Sequence, residues 1–271
     1  MRQMMRMRRN DYWQNRIQEQ KDKSYKRLVR DTEKALSALY TEQAEELRKE
    51  VLDVLSKIQH DKGTNEGILA TDLYRSKRYW TLLDEINKRL KNLGQGQIKI
   101  TSPAIISAYE ETQKLIDDEI PDGVIKPSFL VPNAVDANQV INQVWCLDGK
   151  NFSQRVWNDK NKLITQLKKS LADSLVRGKS NWEVAVAMAD KLNVSRENAY
   201  RLVRTETAHA QNYAQTQRYK EYGFTRGKFL ASPECCDECK EHNGEEHTLE
   251  ELEKMLPVHP RCRCSYTLIT D

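Results

Sequence analysis

Five of the six cysteines in this 271-residue chain fall within thirty residues: Cys235, Cys236, Cys239, Cys262 and Cys264. His259 sits among them, in Pro257-Val-His-Pro-Arg-Cys-Arg-Cys264. Cys236-x-x-Cys239 has the spacing with which one turn brings two thiolates to adjacent corners of a tetrahedron, the geometry zinc prefers. His259-x-x-Cys262-x-Cys264 offers the other half, and the alternation of Cys262 and Cys264 lets both point to one side of a strand. The expected ligand set is Cys236, Cys239, His259 and one of Cys262 or Cys264. Cys235 reads as a spectator that can exchange roles with Cys236. Four protein ligands leave no open position for water, so the expected Zn2+ is structural rather than catalytic. Such an ion contributes on the order of 10 kcal/mol to small modules. The alternative is a reduced cluster without metal, or disulfides formed late. His242 and His247 read as surface histidines of a polar loop, and Cys146, beside Trp145, as a small buried apolar residue.

A second constellation precedes the cysteines: Arg201, Arg204, Thr205, Glu206, His209 and Tyr213. On a helix, Glu206 and His209 share a face, as do His209 and Tyr213. A carboxylate–histidine pair can hold a metal or transfer protons, but it more often makes a salt-bridged or capping network. There is no glycine-rich phosphate loop, nucleophile elbow or His-Glu-x-x-His motif. No enzymatic activity is expected.

The elements that position these residues are mostly helical. The first glycine is Gly63 and the first proline Pro103, so residues 1–62 predict very long helix. Leu28, Thr32, Leu36, Tyr40, Ala44, Leu47, Val51, Leu55 and Ile58 form one apolar stripe that needs a helical partner. A second helix is expected over about 70–93, with Leu73, Trp80, Leu83, Ile86 and Leu90 on one side and Gly94 and Gly96 ending it. A third is expected over about 103–119, started by Pro103 behind Ser102. Together the three suggest an antiparallel bundle. Residues 121–133 hold three prolines and a glycine and mark a boundary. Helices are then expected at about 135–146 and 151–177. Ser180 with Glu183 fits a capping box for the next helix, Ser195 opens another running to Tyr222, and Gly223 is its C-cap. Strands are expected at Phe224–Ala231 and Cys264–Thr270, with a short helix at about 249–255 opened by Thr248 and Glu251. The fold class is therefore mainly α, with a C-terminal α+β domain holding a small antiparallel β element and a Cys/His loop of zinc-knuckle type. The expected division is an elongated helical region at 1–120, a linker at 121–134 and a C-terminal domain at 135–271, with its zinc module at 224–271.

Charge is uneven although the net value is only +4. Residues 1–30 carry ten Arg or Lys, Arg2, Arg6, Arg8, Arg9 and Arg16 among them, against Asp11, Glu19 and Asp22. Such a basic arm suits phosphate or an acidic protein surface. No apolar run is long enough for a membrane span or a signal peptide, so synthesis in a reducing cytoplasm is expected, where clustered cysteines favour metal over disulfide.

The succession Arg204-Thr205-Glu206-Thr207, strand, Cys236-x-x-Cys239, Asn243-Gly244, His259-Pro260-x-Cys262-Arg263-Cys264 and closing strand resembles the C-terminal domain of tailed-bacteriophage minor head proteins, the Mu F-like head morphogenesis family. Phe152-Ser153-Gln154-Arg155-Val156-Trp157, Gly178-Lys179-Ser180 and Asp11-Tyr12-Trp13-x-x-Arg16 are similar to that family too. Ser232-Pro233-Glu234-Cys235 departs from its pattern. The resemblance implies a virion protein present in few copies, made in the host bacterial cytoplasm and incorporated during head assembly, in the head interior or at the portal vertex. Its implied partners are the portal protein, major capsid or scaffold protein and packaged double-stranded DNA, with no membrane. Two further readings differ in class. One is a metal-dependent hydrolase or transferase using Glu206 and His209. The other is a zinc-module nucleic-acid binder, which the nine acidic residues and single lysine of 234–253 disfavour.

Overall fold

The computed structural model describes residues 2–61, 63, 70–121 and 137–269, with side chains from Tyr12 onward apart from those of Ala70, Ala137 and Val176. Its helices are α1 (Arg2–Asp61), α2 (Ala70–Arg75), α3 (Lys77–Glu119), α4 (Ala137–Asn142), α5 (Phe152–Val176) and α6 (Asn181–Glu221). There follow β1 (Arg226–Leu230), α7 (Asp237–Glu241), β2 (Glu246–Thr248), α8 (Leu249–Met255) and β3 (Ser265–Leu268). No helix among the described residues is long and apolar enough to cross a membrane. Close packing divides the chain into two units: Met1–Thr32, Thr101–Phe152 and Arg201–Asp271 form one, Glu33–Ile100 and Ser153–Tyr200 the other. Residues 122–134 of the expected linker lie outside the described residues.

The helical unit, 33–100 with 153–200, is built on the predicted stripe. Leu36, Tyr40, Leu47, Val51 and Leu55 are fully buried, as are Ile86 of α3, Val156 of α5 and Met188 of α6. Each such aliphatic side chain stabilises the fold by about 1.5–3 kcal/mol. Trp80, expected on the apolar side of the second helix, is 52% exposed, and its neighbour Tyr79 is buried instead. Gly94 and Gly96 do not end a helix. They lie inside α3, where a Cβ on Gly94 would stand 2.7 Å from the Trp157 ring and one on Gly96 3.1 Å from the Leu39 side chain. Both glycines mark close helix–helix approach rather than a stop. Ser195 likewise does not open a helix, since α6 runs through it. Its hydroxyl is taken up in a buried network, donating to Asp159 Oδ2 (2.8 Å) and accepting from Lys160 Nζ (2.9 Å). Lys160 also donates to the Tyr40 hydroxyl. The true start of α6 is the expected capping box, with the Ser180 amide donating to Glu183 (2.9 Å) and the Glu183 amide to the Ser180 hydroxyl (3.3 Å).

The second unit surrounds a three-stranded antiparallel sheet, ordered β2-β1-β3. Gly227 pairs with Leu268 and His247, and Phe229 with Tyr266. The two strands foreseen are shorter than expected, and Thr270 lies outside the described residues. β2 and α7 fall where only loop was expected. So Thr248 closes β2 and caps α8, through the predicted reciprocal bonds with Glu251. Pro103, expected as a helix start, is inside α3. Burial of Ile105, Ala108, Tyr109 and Ile116 on that stretch offsets the ~3 kcal/mol that an interior proline costs. The core combines Trp13 and Ile17 of α1, Ile116 of α3, Tyr219 of α6 and Phe229, Leu252, Tyr266 and Leu268 of the sheet region, with Cys239, Cys262 and Cys264 among them.

β3 has β1 on one side and side-chain amides on the other. The Leu268 N–H donates to Gln14 Oε1 (2.8 Å), and Gln14 Nε2 donates to the Leu268 carbonyl (3.3 Å). Gln215 of α6 donates to the Tyr266 carbonyl (2.9 Å), and Asn212 to that of Cys264 (3.1 Å). Buried Lys21 of α1 joins this seam through Asn212 (3.2 Å), Ser265 (2.9 Å) and Gln215. An exposed row of backbone donors and acceptors is thereby occupied.

Candidate metal centre

α7 is little more than one turn, and it places two sulfurs together. Cys236 is its N-cap, with extended backbone and no capping bond from its side chain. Cys239, three residues on, is fully buried. The facing half is a tight turn in which the Cys262 amide donates to the His259 carbonyl (3.0 Å). Arg261 within that turn has φ 67°, the left-handed region that side chains other than glycine's disfavour.

The two halves meet at close range. His259 Nε2 is 3.3 Å from the sulfurs of both Cys236 and Cys239. Cys239 Sγ is 3.9 Å from Cys262 Sγ. Among the described residues, the His, Cys, Asp and Glu groups whose ligand atoms converge are Cys236–Cys239–His259 and Cys239–Cys262–Cys264, which share Cys239. Around a tetrahedral zinc, with Zn–S near 2.3 Å and Zn–N near 2.0–2.1 Å, ligand atoms stand about 3.5–3.8 Å apart. The observed separations fit that size, and sulfur with imidazole is the donor chemistry zinc takes. His259 Nδ1 is held by the Pro260 carbonyl at 2.9 Å. Donation there turns the lone pair of Nε2 to the sulfurs, as the outer partner of a ligating histidine does.

Electrostatics separates the thiols. The Cys264 thiol donates toward Cys262 and holds its pKa down to about 5, against the effect of burial. Cys264 is correspondingly raised, by that donation and by burial. Burial pushes Cys239 up to about 12, whereas the Cys239 amide lowers Cys236. Burial disfavours the His259 cation, but the Pro260 carbonyl and the sulfurs of Cys262 and Cys236 outweigh it and raise the pKa. The Cys264 sulfur also accepts the Ser232 N–H at 3.5 Å.

The remaining histidines and cysteines lie elsewhere. His242 and His247 both pair with Glu245, at 2.8 and 3.3 Å, and His247 is on β2 rather than in a loop. Cys235 is half-buried against the core and belongs to neither converging group. Cys146 is half-buried rather than buried.

The α6 constellation forms a separate assembly. Glu206 and His209 are both 2% exposed. Glu206 accepts from Trp145 Nε1 (3.0 Å), and His209 Nε2 meets Gln143 Oε1 (3.1 Å). The His209 ring stacks between Trp145, at 4.1 Å, and Tyr213, at 5.9 Å. Neither Glu206 nor His209 joins the converging groups. Thr205 does reach the metal centre, since its hydroxyl accepts the Arg261 N–H at 3.0 Å. The motif Arg204-Thr205-Glu206 was legible in sequence, but that contact had no local signal.

Of the basic arm, the side chains of Arg2, Arg6, Arg8 and Arg9 lie outside the described residues. Arg16 is exposed and pairs with Glu119 (2.7 Å), and Arg27 pairs with Glu111 (2.6 Å). Lys21 is buried, so it is no part of a phosphate-facing surface.

A family model described as Phage Mu protein F like protein matches residues 165–267. The matched stretch holds the C-terminal half of α5, all of α6 and both halves of the metal centre, and it is similar to a Mu F-like phage protein. Asp11–Arg16 and Phe152–Trp157 fall outside it. The similarity supports a phage head-related protein and a virion component. No curated protein and no solved structure matches the chain.

Proposed function

We propose that the chain is a non-enzymatic minor head protein of a tailed phage, incorporated during head assembly and associated with the portal, whose C-terminal module carries one structural Zn2+. The observation that supports this most is the convergence of Cys236, Cys239, His259 and Cys262 at 3.3–3.9 Å inside the Mu F-like stretch. Cys264 stands beside them as the alternative fourth ligand. In this reading zinc fastens α7 to the turn before β3, and the protein chain closes the coordination sphere. The basic arm, through Arg2, Arg6, Arg8, Arg9 and Arg16, meets packaged DNA or an acidic portal, capsid or scaffold surface.

Two experiments test the reading. Elemental analysis of reduced, full-length protein should find one zinc per chain, lost on Cys236→Ser, Cys239→Ser or His259→Ala and retained on Cys146→Ser. Co-expression with the portal protein of the same phage should yield a complex. Absence of metal from the wild type overturns the zinc centre, and absence of a complex overturns the portal role.

A further inference from the structure

We infer that Thr205, in the α6 motif, is a positioning residue for the metal centre: its hydroxyl pins the His259–Cys262 turn so that imidazole and sulfur face the α7 cysteines. The inference rests on the zinc reading above and adds a role for a residue outside the ligand set.

The geometry fixes both sides of the hydroxyl. Thr205 Oγ1 donates to the Arg201 carbonyl one turn earlier, at 2.7 Å. A threonine in a helix readily makes that bond, which locks its otherwise restricted χ1. The proton is thus committed, and a lone pair is left to accept the Arg261 N–H at 3.0 Å. Arg261 lies between the two ligands of its half-site and is the one described residue other than glycine with positive φ, at 67°. A backbone in that region relaxes unless something holds it. Three bonds bear on this turn: the Thr205 contact, the Cys262 amide to the His259 carbonyl, and His259 Nδ1 to the Pro260 carbonyl. The first of these anchors it to a long helix. Without the hydroxyl, the Arg261 N–H loses its acceptor and the turn its reference to α6, while every metal donor remains present.

Outer partners that orient ligands typically contribute roughly 10–100-fold to metal affinity. Zinc affinity of the full-length chain, measured by competition with a chromophoric chelator, should fall by roughly that factor in Thr205→Val. One zinc per chain should still bind at saturation, and Thr205→Ser should stay close to wild type. Thr205→Ala, which can introduce no clash, should behave as Thr205→Val and covers the case in which valine disturbs folding. A residue that only packs would lower the melting temperature of metal-free and loaded protein alike and leave affinity unchanged. Wild-type affinity in both Thr205→Val and Thr205→Ala therefore overturns the inference and leaves the zinc reading intact. A wild-type chain that binds no zinc overturns both.

Discussion

Gln14 and Leu268 are bonded to each other as neighbouring strands are, through both the N–H and the C=O of Leu268, across 254 positions of sequence. One side chain of α1 stands in for a peptide group beside β3. Gln14→Leu should leave both backbone groups buried without partners and destabilise the protein by about 1–3 kcal/mol. Faster hydrogen exchange at the Leu268 amide would locate the effect. Unchanged exchange there would show that the pairing contributes nothing.

Chelation should act on one part of the molecule. Removing zinc is expected to raise hydrogen exchange in β1, α7 and β3 while amides of α5 stay protected. Cys239→Ser should reproduce the pattern, because Cys239 belongs to both converging groups. Equal loss of protection in α5 would refute a metal that stabilises the C-terminal module alone.

Lys21 gives stability a pH dependence. Burial, aided by the nearby positive charge of Arg263 and opposed by Asp22, lowers its pKa from 10.5 to about 7. Between those values the unfolded chain holds a proton that the folded chain lacks, so this lysine makes stability rise with pH through the window. Below about 7 both forms are protonated and its contribution is flat. Lys21→Met should remove that part of the slope, as read from denaturant melts at pH 7 and pH 9. An identical slope in the variant would mean that Lys21 titrates normally.

Gly94→Ala should cost about 1–3 kcal/mol, since its methyl would need space held by the Trp157 ring. If alanine were merely the better helix former there, the variant would instead melt higher by up to about 1 kcal/mol of added stability. The sign of the change in Tm decides between the two.

Where signals were local, the sequence could be read correctly. All nine stripe residues from Leu28 to Ile58 are buried, because a 3.6-residue period needs no knowledge of the partner helix. The capping boxes at Ser180 and Thr248 also declare themselves within a few positions, as do the two separate halves, Cys236-x-x-Cys239 and His259-x-x-Cys262. Gly94, Gly96, Pro103 and Ser195 misled because each carries a local meaning that distant packing overrides. Trp157 and Leu39 explain the two glycines, the Asp159–Lys160 pair explains the serine, and a buried flank explains the proline. β2 exists because β1 is there to pair with it, and its own residues, Glu-His-Thr, carry no apolar alternation. Lys21 looked like one more charge of a basic arm. Only Asn212, Gln215 and Ser265, far along the chain, reveal it as an interior group.

The pairing of Gln14 with β3 also dictates an order of events during translation. α1 emerges well before the strand it is bonded to, which follows 254 positions later. The helical unit, complete at Tyr200, has all its segments while the core that holds Trp13 and Ile17 still lacks its strand residues. Domains tend to fold as their residues emerge, and apolar surface exposed in the interval invites aggregation. The nascent chain thus carries Trp13 and Ile17 with their cluster incomplete until β3 emerges. That interval is when a chaperone has most to shield.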